Sequence, residues 1–209
     1  MYVIILAAGT ASRMKEAKLL MKYNDDTILF HMVKSIVEAS LIPIIVTGCY
    51  KKRMDEEIKN IENKLDIKID ITHNELYESG QLSSLITGVK YLEKIRKDDN
   101  YTDREEPYFI TVADLPLIEP HHFKDLLKHL GHHDALRPCV NNVFGHPVLL
   151  QSRLNSEIIK LDSNGKKEGL KSFLKRVDTL KYDIDDKAYI SDVDTKDSYE
   201  KLLKKTSNN

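Results

Sequence analysis

Tryptophan is absent from this 209-residue sequence and cysteine is scarce, with Cys49 and Cys139 as the two examples. They form no CxxC pair and no histidine-rich spacing accompanies them, so they predict neither a disulfide framework nor a structural zinc site. The sequence also has no large excess of positive or negative charge: it contains 32 lysines and arginines and 33 aspartates and glutamates, which gives a net charge of −1. This balance predicts no nucleic-acid partner, and it requires any anion site to be local.

The sequence also lacks a long hydrophobic run. Tyr2–Ala8, the apolar segment near the N-terminus, is far too short to span a bilayer, and no basic region precedes it. We therefore expect a cytoplasmic protein with no membrane partner. Hydrophobic residues make up 41% of the chain, enough for a substantial core, and the length predicts a single domain over residues 1–209.

Short β-branched runs alternate with helical patterns along the chain, which is typical of a mostly parallel sheet covered by helices on both faces. The predicted strands are Tyr2–Ala8, Ile44–Thr47, Ile67–Ile71, Tyr108–Val112 and Thr179–Ile184, with a hairpin of Ala135–Val140 and Val143–Leu150 around Asn141-Asn142. The predicted helices are Thr27–Ala39, Lys51–Lys64, Leu82–Ile95, Pro120–Leu130, Ser152–Leu161, Lys167–Arg176 and a last one after Asp194.

The segment LAAGTASRMKEAKLL follows the first predicted strand, where open α/β sheets bind their ligands. Small residues at 7–9 would let a nucleotide approach the backbone, and the cations of Arg13 and Lys18 could surround a triphosphate. An ordinary tight turn with solvated lysines is the alternative. Neither GxxxxGK[ST] nor GxGxxG is present, so the segment is not a P-loop and does not indicate dinucleotide binding.

Two aspartates are candidates for a metal site. Asp114 directly follows a buried strand, where a carboxylate could hold Mg²⁺ on a ligand phosphate, although an Asx turn before Pro116 is the alternative. Asp194 could also face the metal or cap the last helix, and Asp192 lies only two residues away. Paired histidines at 121–122 and 132–133 suggest surface residues, because each pair lacks the third ligand of a zinc site.

Taken together, these motifs resemble those of the molybdenum cofactor cytidylyltransferases, a family with the GT-A-like nucleotidyltransferase fold. The resemblance runs from Met1 to Leu203 and depends on the order and spacing of LAAG-x-x-x-RM-x-x-x-KLL, Asn74…Gly80…Ser84-Leu85, AD-x-P, Gly145-His146-Pro147 and DVDT. It implies a Rossmann-like three-layer α/β sandwich with an inserted β-hairpin. It also implies Mg²⁺-dependent transfer of CMP from CTP to the phosphate of molybdopterin, with a molybdoenzyme or its maturation factor as a further partner.

The resemblance implies roles for individual residues. Arg13, Lys18 and Asp114 would be catalytic, and Asp114 and Asp194 would hold Mg²⁺. The nucleotide-binding residues would be Leu6, Ala7, Ala8, Gly9, Arg13, Lys18, Asn74, Gly80, Ser83 and Ser84, and the acceptor-binding residues would be Arg137, His146 and Lys171. For four of these residues a purely structural interpretation stays open: Ser83 and Ser84 could start a helix, Asn74 could be a turn residue and His146 could be a surface residue without a function.

Two residues depart from the family pattern, since Ala11 stands where serine is usual and Lys15 where glycine is usual. The alanine pair at 7–8 goes with cytidylyl transfer, whereas the guanylyl relatives have LAGG. Three alternatives remain open at this point: guanylyl transfer, another phosphorylated acceptor such as a sugar phosphate or methylerythritol phosphate, and a non-catalytic chaperone that inserts the cofactor.

Overall fold

A mixed sheet of eight strands organises the part of the chain that the computed structural model describes, residues 1–9, 17–98, 106–161 and 169–206. The strands of this sheet are β1 (Tyr2–Ala7), β4 (Ile42–Thr47), β5 (Asp70–His73), β6 (Tyr108–Val112), β7 (Ala135–Val140), β8 (Val143–Phe144), β9 (Val148–Leu150) and β10 (Thr179–Asp183), and a separate small hairpin is formed by β2 (Lys22–Tyr23) and β3 (Asp26–Thr27). The order is β10-β7-β9-β6-β1-β4-β5, with β8 beside β7. Neighbours pair in parallel except around β9 and β8, which confirms the prediction of a mostly parallel sheet.

Helices cover both faces of this sheet. They are α1 (Ile28–Glu38), α2 (Lys51–Leu65), α3 (Gln81–Asp98), α4 (Pro120–His129), α5 (Asn155–Lys160), α6 (Leu170–Phe173) and α7 (Lys196–Thr206). Alternate residues of β1 point to opposite faces, as the pleat of a strand requires. Val3 and Ile5 pack in one core with α1, α2 and α4, whereas Tyr2 and Ile4 pack in a second core with α3, α5 and α6. The three-layer α/β arrangement is therefore confirmed. None of the described helices combines the length and apolarity that crossing a bilayer demands.

Helix α3 lies unusually close to the sheet at one glycine. A Cβ atom added to Gly88 would sit 2.5 Å from Cγ2 of Ile4 and 3.0 Å from Cγ2 of Val46. Glycine inside a helix costs roughly 0.5–1 kcal/mol relative to alanine, so its presence here reflects the need for space. The close approach fixes the position of α3, whose first turn reaches the carboxyl ends of the strands.

Two predicted strands have different bounds in the structure. The strand predicted at 67–71 forms at 70–73, because the amides of Ile67 and Ile69 donate to the backbone oxygen and the side chain of Glu62 at the end of α2. The segment predicted as one strand over 143–150 is divided into β8 and β9. Only β8 forms the predicted hairpin with β7, around Asn141 and Asn142 at φ 49° and 65°, whereas β9 inserts between β6 and β7.

Candidate active site

A cavity of about 350 Å³ lies at the edge where β1, β4 and β6 end. Backbone hydrogen bonds join its walls: Cys49 N–H donates to the Ala8 oxygen at 3.3 Å, and Ala113 N–H donates to the Leu6 oxygen at 3.4 Å. The cavity is lined by Leu6, Ala7, Ala8, Gly9, Ala17, Lys18, Leu19, Cys49, Tyr50, Met54, Tyr77, Glu78, Gly80, Gln81, Ser84, Val112, Ala113 and Asp114. We call it the first cavity.

The floor of the first cavity needs small residues. A Cβ on Gly48 would lie 2.7 Å from the Cβ atoms of both Ala8 and Tyr77, so the segment after β1 and the loop before α3 close tightly over this position. A Cβ on Gly9, by contrast, would meet no atom of the described residues within 4 Å. Gly9 itself lines the first cavity. Arg13, Ala11 and Lys15, on which part of the predicted triphosphate site depends, lie outside the described residues.

Lys18, Asp114 and Asp194 form a compact charged cluster at the mouth of the first cavity. The Lys18 ammonium donates to Oδ2 of Asp114 and, at 2.6 Å, to Oδ1 of Asp194. Burial lowers the pKa of Lys18, but the two carboxylates outweigh this and raise it above its usual value. Partial desolvation and repulsion by Asp194 and Asp114 raise the pKa of the exposed Asp192.

The position of Asp114 suits a metal ligand. Its side chain is almost fully buried, and its Oδ1 has no hydrogen-bond partner among the described residues. An orphaned buried carboxylate oxygen is costly unless a ligand or ion satisfies it. The amide of Val193 donates to the Asp114 backbone oxygen at 3.0 Å, which brings Asp194 to the same place. The two carboxylates therefore have the hard oxygen donors that Mg²⁺ takes in proteins.

Asn74 is an internal support for the first turn of α3. It is 2% exposed, and its amide nitrogen donates to the hydroxyls of Ser83 and Ser84 at 2.8 and 2.9 Å. Its Oδ1 accepts from the Leu76 amide at 3.0 Å, which makes the turn that leads to Gly80 at φ 113°. Of the predicted nucleotide-binding residues in this segment, Gly80 and Ser84 line the first cavity, and Asn74 and Ser83 do not.

A second cavity of about 380 Å³ adjoins the first and shares Gln81, Val112 and Asp114 with it. It is also lined by Leu115, Val143, Phe144, Gly145, His146, Tyr189, Ile190, Asp192 and Asp194. His146 is half-buried, and its Nδ1 has no hydrogen-bond partner within the described part of the chain. Burial and the nearby charge of Arg137 lower the pKa of His146 to about 4, so its ring is neutral at pH 7.

The two other predicted acceptor residues lie outside the lining of this second cavity. The guanidinium of Arg137 stacks 4.7 Å above the ring of Phe144, and its Nε donates to the Gly145 oxygen at 3.5 Å, so Arg137 supports the wall from behind. Burial lowers its pKa. Lys171 is exposed on α6 and lines neither cavity.

The interpretation of the histidine pairs was wrong in two respects. His122 is a buried residue: its Nδ1 accepts from the Glu119 amide at 2.8 Å, and its Nε2 contacts Asp186 Oδ2 at 2.9 Å. Each pair also has the third potential metal ligand that was predicted to be missing: Asp186 beside His121 and His122, and Asp178 beside His132 and His133. Both ring nitrogens of His122 are engaged within the fold, so its role is to fix the start of α4 against the segment before α7.

Several lining residues carried no recognisable sequence signal. Tyr77 and Gln81 lie near the predicted Gly80, and Cys49 and Tyr50 follow the end of β4. Closeness in sequence to a predicted feature was the available clue that these residues line the cavity. Tyr189, which packs its ring against His122, had none.

Comparisons with known proteins identify the family of this chain. The MobA-like NTP transferase domain family matches residues 3–180, and the chain therefore belongs to that family. The molybdenum cofactor cytidylyltransferase of Escherichia coli (strain K12) is 26% identical over 94% of this chain and 92% of its own length. A probable molybdenum cofactor guanylyltransferase of Bacillus cereus (strain Q1) is 25% identical over 66% of this chain and 61% of its own.

The fold also matches solved structures. The crystal structure of 4-diphosphocytidyl-2C-methyl-D-erythritol synthase from Anaerococcus prevotii superposes with a TM-score of 0.76, at 14% identity and over 99% of this chain and 95% of that one. The class is thus a nucleotidyltransferase with the GT-A-like fold.

Proposed function

We propose that this nucleotidyltransferase transfers CMP from CTP to the phosphate of molybdopterin. The observation that carries the proposal is the cluster of Lys18, Asp114 and Asp194, which lies where two cavities meet. A donor nucleotide in one cavity and a phosphorylated acceptor in the other would bring their reacting phosphates together at this cluster.

The reaction would be an in-line substitution at the α-phosphorus of CTP. An oxygen of the acceptor phosphate forms the new bond to the α-phosphorus, the bond from that phosphorus to the bridging oxygen breaks, and pyrophosphate leaves with the bond's electron pair. Such transfers depend on positioning and charge neutralisation more than on covalent help from the protein. Lys18, together with Arg13, would hold the triphosphate and stabilise charge on the leaving pyrophosphate.

Asp114 and Asp194 would hold Mg²⁺, which when bound supplies a Lewis acid for the phosphoryl oxygens. Their oxygens fit the ion, since Oδ1 of Asp114 has no hydrogen-bond partner in the described part of the chain and both carboxylates contact the Lys18 ammonium. Asp194 is a better candidate than Asp192, because Asp194 contacts Lys18 directly whereas Asp192 is an exposed member of the second cavity.

Support for CTP comes from the alanine pair at 7–8 and from the similarity to the E. coli cytidylyltransferase. Guanylyl transfer is the second candidate, because the chain also resembles a probable guanylyltransferase. A different phosphorylated acceptor is the third, because the fold is shared with an enzyme of methylerythritol metabolism.

Pyrophosphate release tests the proposal when the protein is offered CTP or GTP with molybdopterin or methylerythritol phosphate. We expect the fastest release with CTP and molybdopterin. Asp114→Asn should abolish release, and Asp194→Asn should reduce it more than Asp192→Asn, while Asp98→Asn, an exposed carboxylate at the end of α3, serves as the matched control. Equal or faster release with GTP, or with the other acceptor, would overturn the assignment.

A further inference from the structure

The ammonium of Lys18 occupies the point on which both candidate metal ligands converge. Asp114 reaches it from the loop after β6 and Asp194 from the segment before α7, positions 96 and 176 residues away along the chain. The side chains of Lys18 and Asp114 are 16% and 13% exposed, so water screens this pair poorly, whereas the side chain of Asp194 is 39% exposed. The two carboxylates thus have the Lys18 cation between them.

One cation excludes the other at such a point. A divalent ion held by the same two carboxylates, whether on the unpartnered Oδ1 of Asp114 or on the oxygens that contact Lys18, would lie within a few ångströms of the ammonium, where like charges repel strongly in a partly buried setting. Lysine is also suited to leave, because its charge is compact and its four-carbon stem is flexible. Lys18 lines the first cavity as well, so its ammonium has a second place to go without leaving the site.

We propose that Lys18 is a resident cation that keeps divalent metal out of the nucleotide-free protein. It neutralises Asp114 and Asp194 until a triphosphate in the first cavity draws the ammonium away, and only then do the carboxylates accept a metal ion. The choice of a triphosphate as the displacing group depends on the proposed function. The exclusion of metal by Lys18 does not depend on it.

A linkage follows from this exchange. A metal ion that binds alone must displace the Lys18 ammonium from the two carboxylates. A nucleotide that binds alone draws the ammonium away and leaves the two carboxylates without a cation. In both cases the lost ion pairs reduce the binding free energy of the single ligand. When both bind, Lys18 pairs with phosphate and the metal pairs with the carboxylates, and neither cost remains. Metal and nucleotide should therefore strengthen each other's binding, to the same degree in both directions.

The first test is Mn²⁺ binding to the full chain without nucleotide, followed by electron paramagnetic resonance of the free ion. Lys18→Met should bind Mn²⁺ more tightly than the wild type, by a factor of about 5 to 150, the usual range of coupling between two ligands. Lys128→Met, which removes an exposed lysine on α4, should behave as the wild type. The gain should disappear in Lys18→Met combined with Asp114→Asn.

The result that overturns the proposal is a folded Lys18→Met protein whose Mn²⁺ affinity equals that of the wild type or falls below it. If circular dichroism shows that Lys18→Met is unfolded, Lys18→Gln decides by the same criterion, because an amide can still donate to both carboxylates without carrying charge. No nucleotide is present in this titration. Its outcome is therefore separate from the pyrophosphate assay, whose failure would overturn the proposed function alone.

The second test concerns the displacement. The affinity for a CTP analogue with a methylene between its α- and β-phosphates is measured with and without saturating Mn²⁺, in the wild type and in Lys18→Met. Binding of Mn²⁺ to the free analogue is the same for both proteins and cancels in the comparison. We expect the strengthening by metal to be at least about fivefold larger in the wild type. Equal strengthening in the two proteins would refute the displacement of Lys18 by the triphosphate.

Discussion

Replacing Asn74 by alanine tests whether the loop before α3 shapes the nucleotide site from within. The side-chain amide of Asn74 makes four hydrogen bonds, to Ser83, Ser84, the Leu76 backbone and, at 3.5 Å, the Thr87 hydroxyl, and almost no water reaches it. Alanine would remove all four and leave the Leu76 amide without its acceptor. The Ser83 hydroxyl keeps the Leu76 and Gly80 oxygens as acceptors, which limits the damage on that side.

The magnitude follows from these contacts. Loss of one partner of a buried hydrogen bond costs about 1–3 kcal/mol, and the two bonds to the serine hydroxyls add about 0.5–1.5 kcal/mol each. We expect Asn74→Ala to lower the free energy of unfolding by about 2–4 kcal/mol, since the surrounding loop relaxes in part. Asn63→Ala, at an exposed position on α2, should change it by less than about 0.5 kcal/mol.

The assay combines urea unfolding with steady-state kinetics. Because Asn74 does not line either cavity but positions Ser84, which does, KM for the nucleotide should rise while kcat changes little. A variant that unfolds at the same urea concentration as the wild type would show that the hydrogen bonds of the Asn74 side chain contribute nothing. A fall in kcat at unchanged KM would instead place Asn74 near the reacting phosphates and contradict its role as a support.

Three further substitutions have defined outcomes. Lys18→Ala should lower kcat by about 10²–10³ with the fold intact, as loss of a transition-state charge contact does elsewhere, and unchanged turnover would contradict the phosphate role. Gly88→Ala should cost about 1–3 kcal/mol of stability by overpacking α3 against Ile4, whereas Lys90→Ala on the exposed face of that helix should not, as thermal unfolding would show. The pKa of His146 is lowered to about 4 in the folded protein, below the unfolded value of about 6.5. Between these two values the unfolded chain binds a proton that the folded protein does not, so the free energy of unfolding falls as pH drops from about 6.5 to 4. His146→Gln should flatten that pH dependence in urea unfolding, and an unchanged slope would show that the ring is not held neutral.

The sequence was sufficient to predict features whose causes are local. Asp114 could be placed at a strand end because a run of buried residues precedes it and Pro116 follows it. Asn141-Asn142 could be placed in a turn because asparagine tolerates positive φ. The resemblance to a family supplied what these local signals lacked, namely that distant motifs belong to one site.

Features that depend on long-range packing could not be predicted in the same way. The burial of His122 results from Asp186 and Tyr189, more than 60 residues later. The insertion of β9 between β6 and β7 requires pairings that no short segment encodes. Lys171 was predicted to bind the acceptor. In the folded protein it is exposed on α6 and lines neither cavity.

The linings of the two cavities divide the polypeptide into successive halves. Among the residues that the structure describes, all those that line the first cavity lie at or before Asp114, whereas nine of the twelve that line the second cavity lie at position 115 or later. The two cavities, which we propose as donor and acceptor sites, can therefore change by mutation almost independently, with Gln81, Val112 and Asp114 as their shared boundary. Such a division would let a lineage keep its nucleotide while exchanging the molecule that receives it, because substitutions in the later half leave the earlier lining untouched.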